Sequence, residues 1–154
     1  MLDGYSRPMT HNERTIKATP DQVWDVIADG WLYPVWVVGA TRMRDVDATW
    51  PEVGSCLHHS AGVWPAVISD TTEVLAVEPR QMIRLRARGW PVGEAEVGLK
   101  LTAQGAETLV EIEEDAVAGP GSYVPSVLRH PAIKLRNVET LRRLAFIAEH
   151  RTKS

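Results

Sequence analysis

The chain has 154 residues, 44% hydrophobic and 24% charged, which is enough to bury a core and too apolar for a disordered segment. A net charge of -3 with no basic block is a poor match to nucleic-acid phosphates, and a single cysteine, Cys56, excludes an intramolecular disulfide and a cysteine-rich metal site. No apolar run is long enough to span a bilayer, and the opening MLDGYSRPMTHNERT lacks the apolar stretch of a signal peptide, so one soluble cytoplasmic domain over residues 1–154 is expected.

Residues 1–11 read as loose, and 12–18 (NERTIKA) as a first strand. Thr19-Pro20-Asp21-Gln22 is a helix start. Threonine suits the N-cap, proline the first helical position, and Gln22 closes a capping box. Val23, Trp24, Ile27 and Ala28 follow at helical spacing, and Asp29-Gly30 is the expected stop, with Gly30 free to take a positive φ. A second short helix is predicted over about 31–38 and ends at Gly39.

From Thr41 the period changes to two. Strands are predicted at about 41–48, 54–60, 65–77, 82–89, 94–102 and 107–115, and short turns between them imply an antiparallel meander. A hairpin centred on Pro91 sets Arg86 opposite Glu96 and Arg88 opposite Glu94. One centred on Pro79-Arg80 also sets Arg86 opposite Glu73, on a face expected to be solvated. The other face then carries Val74, Ala76, Ile83, Leu85, Ala87, Val97, Leu99 and Leu101, joined by Val110 and Ile112.

After Gly119-Pro120-Gly121 the helical period returns. Pro131 is expected to split this region into a short turn near 122–129 and a long helix over about 131–150. The apolar stripe of that helix reads Val127, Leu135, Val138, Leu141, Leu144, Ala145 and Ala148.

The segments ATPDQVWDVIAD, EVLAVEPRQMIRLRARG and LRNVETLRRLAFIAE, in this order, resemble the SRPBCC superfamily and, within it, the polyketide cyclase/dehydrase and lipid-transport group. The resemblance covers nearly the whole chain. It implies an α+β helix-grip (Bet v 1/START-like) fold: a curved antiparallel sheet of six to seven strands around a long C-terminal helix, two short helices after strand 1, and a cavity between sheet and helix.

Adjacent residues of a strand point to opposite faces, so His58 and His59 cannot both ligate one ion from a regular strand. If Leu57 faces inward, so does His59, either as a core residue or as a proton donor to a ligand. Asp70 and Thr72 share the inward parity of Val74, and Glu114 that of Val110 and Ile112. A bulge in the long strand would break this parity at Asp70. His59, Asp70 and Glu114 are the candidate acid–base residues. The expected ligand-binding residues are Trp36, His59, Trp64, Thr72, Leu85, Trp90, Val97, Leu99, Val110, Ile112, Tyr123 and Leu141, although the aromatics among them can equally cap the core. Six tryptophans against one phenylalanine fit a pocket with polar fittings, and fit a coding bias equally well. No metal or cofactor is expected. Three functions are consistent with this reading: binding of a small hydrophobic ligand (a lipid, isoprenoid or polyketide-like aromatic) by a monomer or homodimer, a cyclase/dehydratase using the same cavity, or a protein-interaction module.

Overall fold

The computed structural model describes residues 9–39, 42–61, 68–89 and 93–151. The elements are β1 (Thr10–Ile16), α1 (Pro20–Ala28), a 3-10 turn (Gly30–Leu32), α2 (Tyr33–Trp36), β2 (Arg42–Val46), β3 (Cys56–Ala61), β4 (Ile68–Glu78), β5 (Met82–Gly89), β6 (Gly93–Gln104), β7 (Glu107–Ala118), a second 3-10 turn (Pro120–Tyr123) and α3 (Ser126–Arg151). The strands form one antiparallel sheet in the order β1-β7-β6-β5-β4-β3-β2, and α3 lies against β1 and β7. This is the expected helix-grip architecture. No helix among the described residues is long and apolar enough to cross a membrane.

α1 begins as its sequence dictates. Thr19 Oγ1 accepts from the Gln22 N–H at 3.3 Å, and Gln22 Oε1 accepts from the Thr19 N–H at 2.8 Å. Val23, Trp24, Val26 and Ile27 are its buried face. Gly30 serves a different purpose from the one expected. Its φ is not positive; a Cβ there would lie 2.6 Å from Leu57 and 2.8 Å from Val46, so glycine permits close approach of the 3-10 turn to the sheet.

The hairpin registers match the charge pattern: Arg86 faces Glu73 on one side and Glu96 on the other, and Arg88 faces Glu94. The face is not uniformly solvated, because Glu96 is buried, with Arg84 at 3.1 Å and Arg86 at 3.6 Å. The bulge in β4 falls between Val74 and Ala76, beyond Asp70. Asp70, Thr72 and Val74 therefore keep their parity, and Val77 takes the inward place assigned to Ala76, opposite fully buried Ile83.

Three further expectations are corrected. Thr10 and His11 belong to β1, where they pair with Glu114 and Glu113. α3 runs through Pro131 without a break; Pro131 lies in its second turn and is exposed, so the helix forgoes one backbone hydrogen bond near its start. The stripe of α3 is rotated from the expected one. Val127, Leu135 and Val138 are exposed, whereas Asn137, Thr140, Leu141, Leu144, Ala145 and Ala148 face inward. The polar members of that inward face adjoin a cavity.

Candidate functional site

A cavity of about 350 Å³ lies between the inner faces of β3–β7 and the helices α2 and α3. Leu85, Ala87, Val97, Leu99, Ile112 and Ala116 supply its apolar sheet wall. Each comes from a strand position of inward parity, so alternation alone puts it there. Tyr33, Trp36, Val37 and Val38 close the helical side, and Arg136, Asn137 and Thr140 present the inward face of α3. Thr140 Oγ1 accepts from the Val38 N–H at 3.3 Å and so fastens the chain after α2 to α3.

The three acid–base candidates all line this cavity. His59 and Asp70 are direct cross-strand partners on β3 and β4, 6% and 8% exposed. His59 Nε2 is 2.8 Å from Thr72 Oγ1, and Thr72 is also hydrogen-bonded to the Tyr33 hydroxyl. The Tyr33 ring stacks on His59, with centroids 5.9 Å apart, and meets Trp36 edge-on at 5.6 Å. Burial pushes the His59 pKa below the ordinary imidazole value, against an opposing pull from Asp70, so the ring is neutral at neutral pH. Burial likewise pushes Tyr33 up, so its phenol keeps its proton. Glu114, also buried, is ion-paired with Arg136 across from α3, and burial lowers the Arg136 pKa. His58 points the other way, with Nε2 2.9 Å from Asp47, as parity requires.

Of the residues expected to bind ligand, Trp36, His59, Thr72, Leu85, Val97, Leu99 and Ile112 come together around the cavity. Val110 and Leu141 do not line it; both are buried in the packed core, at 0% and 2% exposure. Tyr123 is 86% exposed and away from the lining. Trp64 and Trp90 lie outside the described residues. Sequence reasoning missed Tyr33, Arg136, Asn137 and Thr140. A signal for the last two exists: positions 137, 140, 141, 144, 145 and 148 form one helical stripe once its polar members are admitted.

A separate exposed cluster crosses β1 and β7, where atoms of His11, Glu13 and Glu111 lie within 4.8 Å of one another; it shares no residue with the cavity. Cys56 is only partly buried, on β3 outside the cavity lining. Burial, with Asp47 and Glu73 nearby, raises its thiol pKa, the reverse of what activates a nucleophile.

The chain's sequence matches the model of a family described as polyketide cyclase / dehydrase and lipid transport, over residues 9–145. No protein of curated function matches it. Among solved structures it is similar to DynU16 of the dynemicin biosynthetic locus, with 23% identity and a TM-score of 0.64 over 93% of this chain and 48% of that one. It is similar also to the di-domain ARO/CYC StfQ of the steffimycin biosynthetic pathway, with 11% identity and a TM-score of 0.68 over 95% and 52%. A third is Ara h 8.0201, with 11% identity and a TM-score of 0.67 over 93% and 98%. At these identities the likeness is one of fold, and this chain spans about half the length of the first two.

Proposed function

We propose that this chain, which belongs to the polyketide cyclase / dehydrase and lipid transport family, holds a small hydrophobic ligand in the cavity between its sheet and α3. The carrying observation is the cavity itself. A packed protein interior keeps few voids larger than a water molecule, and about 350 Å³ lies within the range of small-molecule sites. Its walls are largely apolar, with a few polar side chains on both the sheet and the helical side to orient what enters. Suitable occupants are a lipid, an isoprenoid or a polyketide-like aromatic, and the chain acts as a single cytoplasmic ligand-binding unit, monomeric or homodimeric, with no nucleic-acid partner.

One observation favours a second reading, acid–base chemistry on the bound molecule. His59 is held neutral by burial, touches Thr72 and sits beside Asp70, all on the cavity wall. A neutral imidazole can take a proton from a carbon acid and, as the imidazolium so formed, pass it to a leaving or carbonyl oxygen, as cyclisation or dehydration requires.

Native mass spectrometry of freshly purified protein tests the binding reading. A single small-molecule adduct that is lost on organic extraction is expected. An unliganded mass alone, together with no uptake of an apolar naphthalene dye, overturns it. His59→Gln separates the two readings: on the second it abolishes turnover of a poly-β-keto substrate while dye uptake persists.

A further inference from the structure

We infer that the cavity recognises two separate oxygen functions on one apolar ligand: an acceptor oxygen, such as a ketone, at Trp36 and Asn137, and a hydroxyl at Asp70 and His59. This rests on the ligand-binding reading and specifies the ligand's chemistry.

Four residues of the cavity lining carry a buried polar atom with no hydrogen-bond partner: Trp36 Nε1, Asn137 Nδ2, His59 Nδ1 and Asp70 Oδ2. The residues are 2%, 1%, 6% and 8% exposed. Native proteins leave few such atoms unpaired, because each has lost its water and gained nothing in exchange. Four around one void point to partners that arrive with the ligand.

Their chemistry divides in two by position. The indole N–H and the amide nitrogen can only donate. They sit on α2 and α3, which pack against each other, so both serve an acceptor oxygen on the helical wall. The free carboxyl oxygen of Asp70 is an acceptor, and the free nitrogen of His59 donates or accepts according to its tautomer. These two are cross-strand partners on the sheet wall, where a hydroxyl can donate to Asp70 and accept from, or donate to, His59. The Tyr33 ring touches one member of each group, Trp36 edge-on and His59 face to face. Its hydroxyl and His59 Nε2 are already engaged by Thr72, so neither competes for the ligand. Both groups are thus within reach of one aromatic ring, and a two-ring ligand with oxygens at opposite ends can meet them together.

Fluorescence titration near neutral pH with naphthol, acetonaphthone and the hydroxyacetonaphthone bearing both groups on opposite rings tests this. The doubly substituted probe is expected to bind about tenfold more tightly than either single one. Asn137→Leu should weaken acetonaphthone and spare naphthol, and Asp70→Leu should do the reverse. The wild-type series decides the matter if either variant fails to fold. Equal binding of all three probes overturns the two-oxygen assignment and leaves the cavity reading intact. No binding of any probe overturns both.

Discussion

Asp115 ties the start of α3 to the sheet, and replacing it with alanine should be among the most damaging changes outside the apolar core. Its carboxylate accepts from Arg129 Nε at 2.7 Å, from Arg129 Nη2 at 3.0 Å and from the Ala116 N–H at 2.8 Å, with His130 Nε2 at 3.2 Å. The two charged side chains are 5% and 16% exposed. Removing one member of a buried pair leaves the other desolvated without compensation, which costs about 3–5 kcal/mol. Arg129 keeps its bonds to the Ser122 and Val124 carbonyls, which places the expected loss near the lower end, about 3 kcal/mol. Urea denaturation should show a lower midpoint with an unchanged slope. Acid gives an independent check. Burial raises the Asp115 pKa, but the hydrogen bonds from Arg129 and the Ala116 N–H, with His130 close by, outweigh it, so the net shift is downward. A depressed carboxylate contributes stability that is full above its ordinary value of 3.8 and is lost as pH falls through the folded-state value. The gap between wild type and Asp115→Ala should therefore be constant at neutral pH and shrink below 3.8. A loss under about 1 kcal/mol at neutral pH, the size of an exposed pair, would refute the clamp.

Trp24 is 7% exposed in the core, and Trp24→Ala should cost about 3–5 kcal/mol in denaturant melts; a loss below about 1 kcal/mol would mean that α1 is not packed as described. Arg84→Ala should destabilise more than Arg86→Ala, by the same assay. Arg84 is the nearer partner of buried Glu96, so its loss should cost about 1.5–3 kcal/mol. Arg86 is about one-third exposed and should cost about 1 kcal/mol or less, and equal losses would contradict this ranking by distance and burial. The Glu139 carboxyl, hydrogen-bonded by Arg142 and Arg143, should titrate by NMR with a midpoint of about 2. What those pairs contribute is present above 4.5 and lost toward 2, and a midpoint at 4.5 would show the pairs are not formed in solution.

The sheet was legible because its charges and its apolar residues independently specify one register. Arg86, Glu73 and Glu96 align only when the apolar positions also fall on a common face. The same parity placed His59, Asp70, Thr72 and Glu114 inward. The long helix was read less well, and the reason is physical. A stripe sought among apolar residues assumes that the buried side meets a solid core, whereas α3 turns Asn137 and Thr140 toward a partly polar void and leaves Leu135 and Val138 outside. Tyr33 was missed because its role arises from contacts with His59 and Thr72, distant in sequence, which no local period encodes. The β4 bulge at Val74/Ala76 exchanged Ala76 for Val77 because an extra residue reverses alternation beyond it, and neither side of the pair is a glycine that would advertise it.

The central claim is that the cavity is a ligand site, and blocking it tests that claim most directly. Ala87 lies on the sheet wall of the cavity, opposite Thr72 and Ala95. In Ala87→Trp an indole occupies that space while the outer face of β5 is unchanged. An environment-sensitive naphthalene dye titrated into folded wild type should bind one to one, and Ala87→Trp, shown folded by circular dichroism, should weaken uptake at least about tenfold. Equal uptake by the two proteins, or none by wild type, would contradict the account.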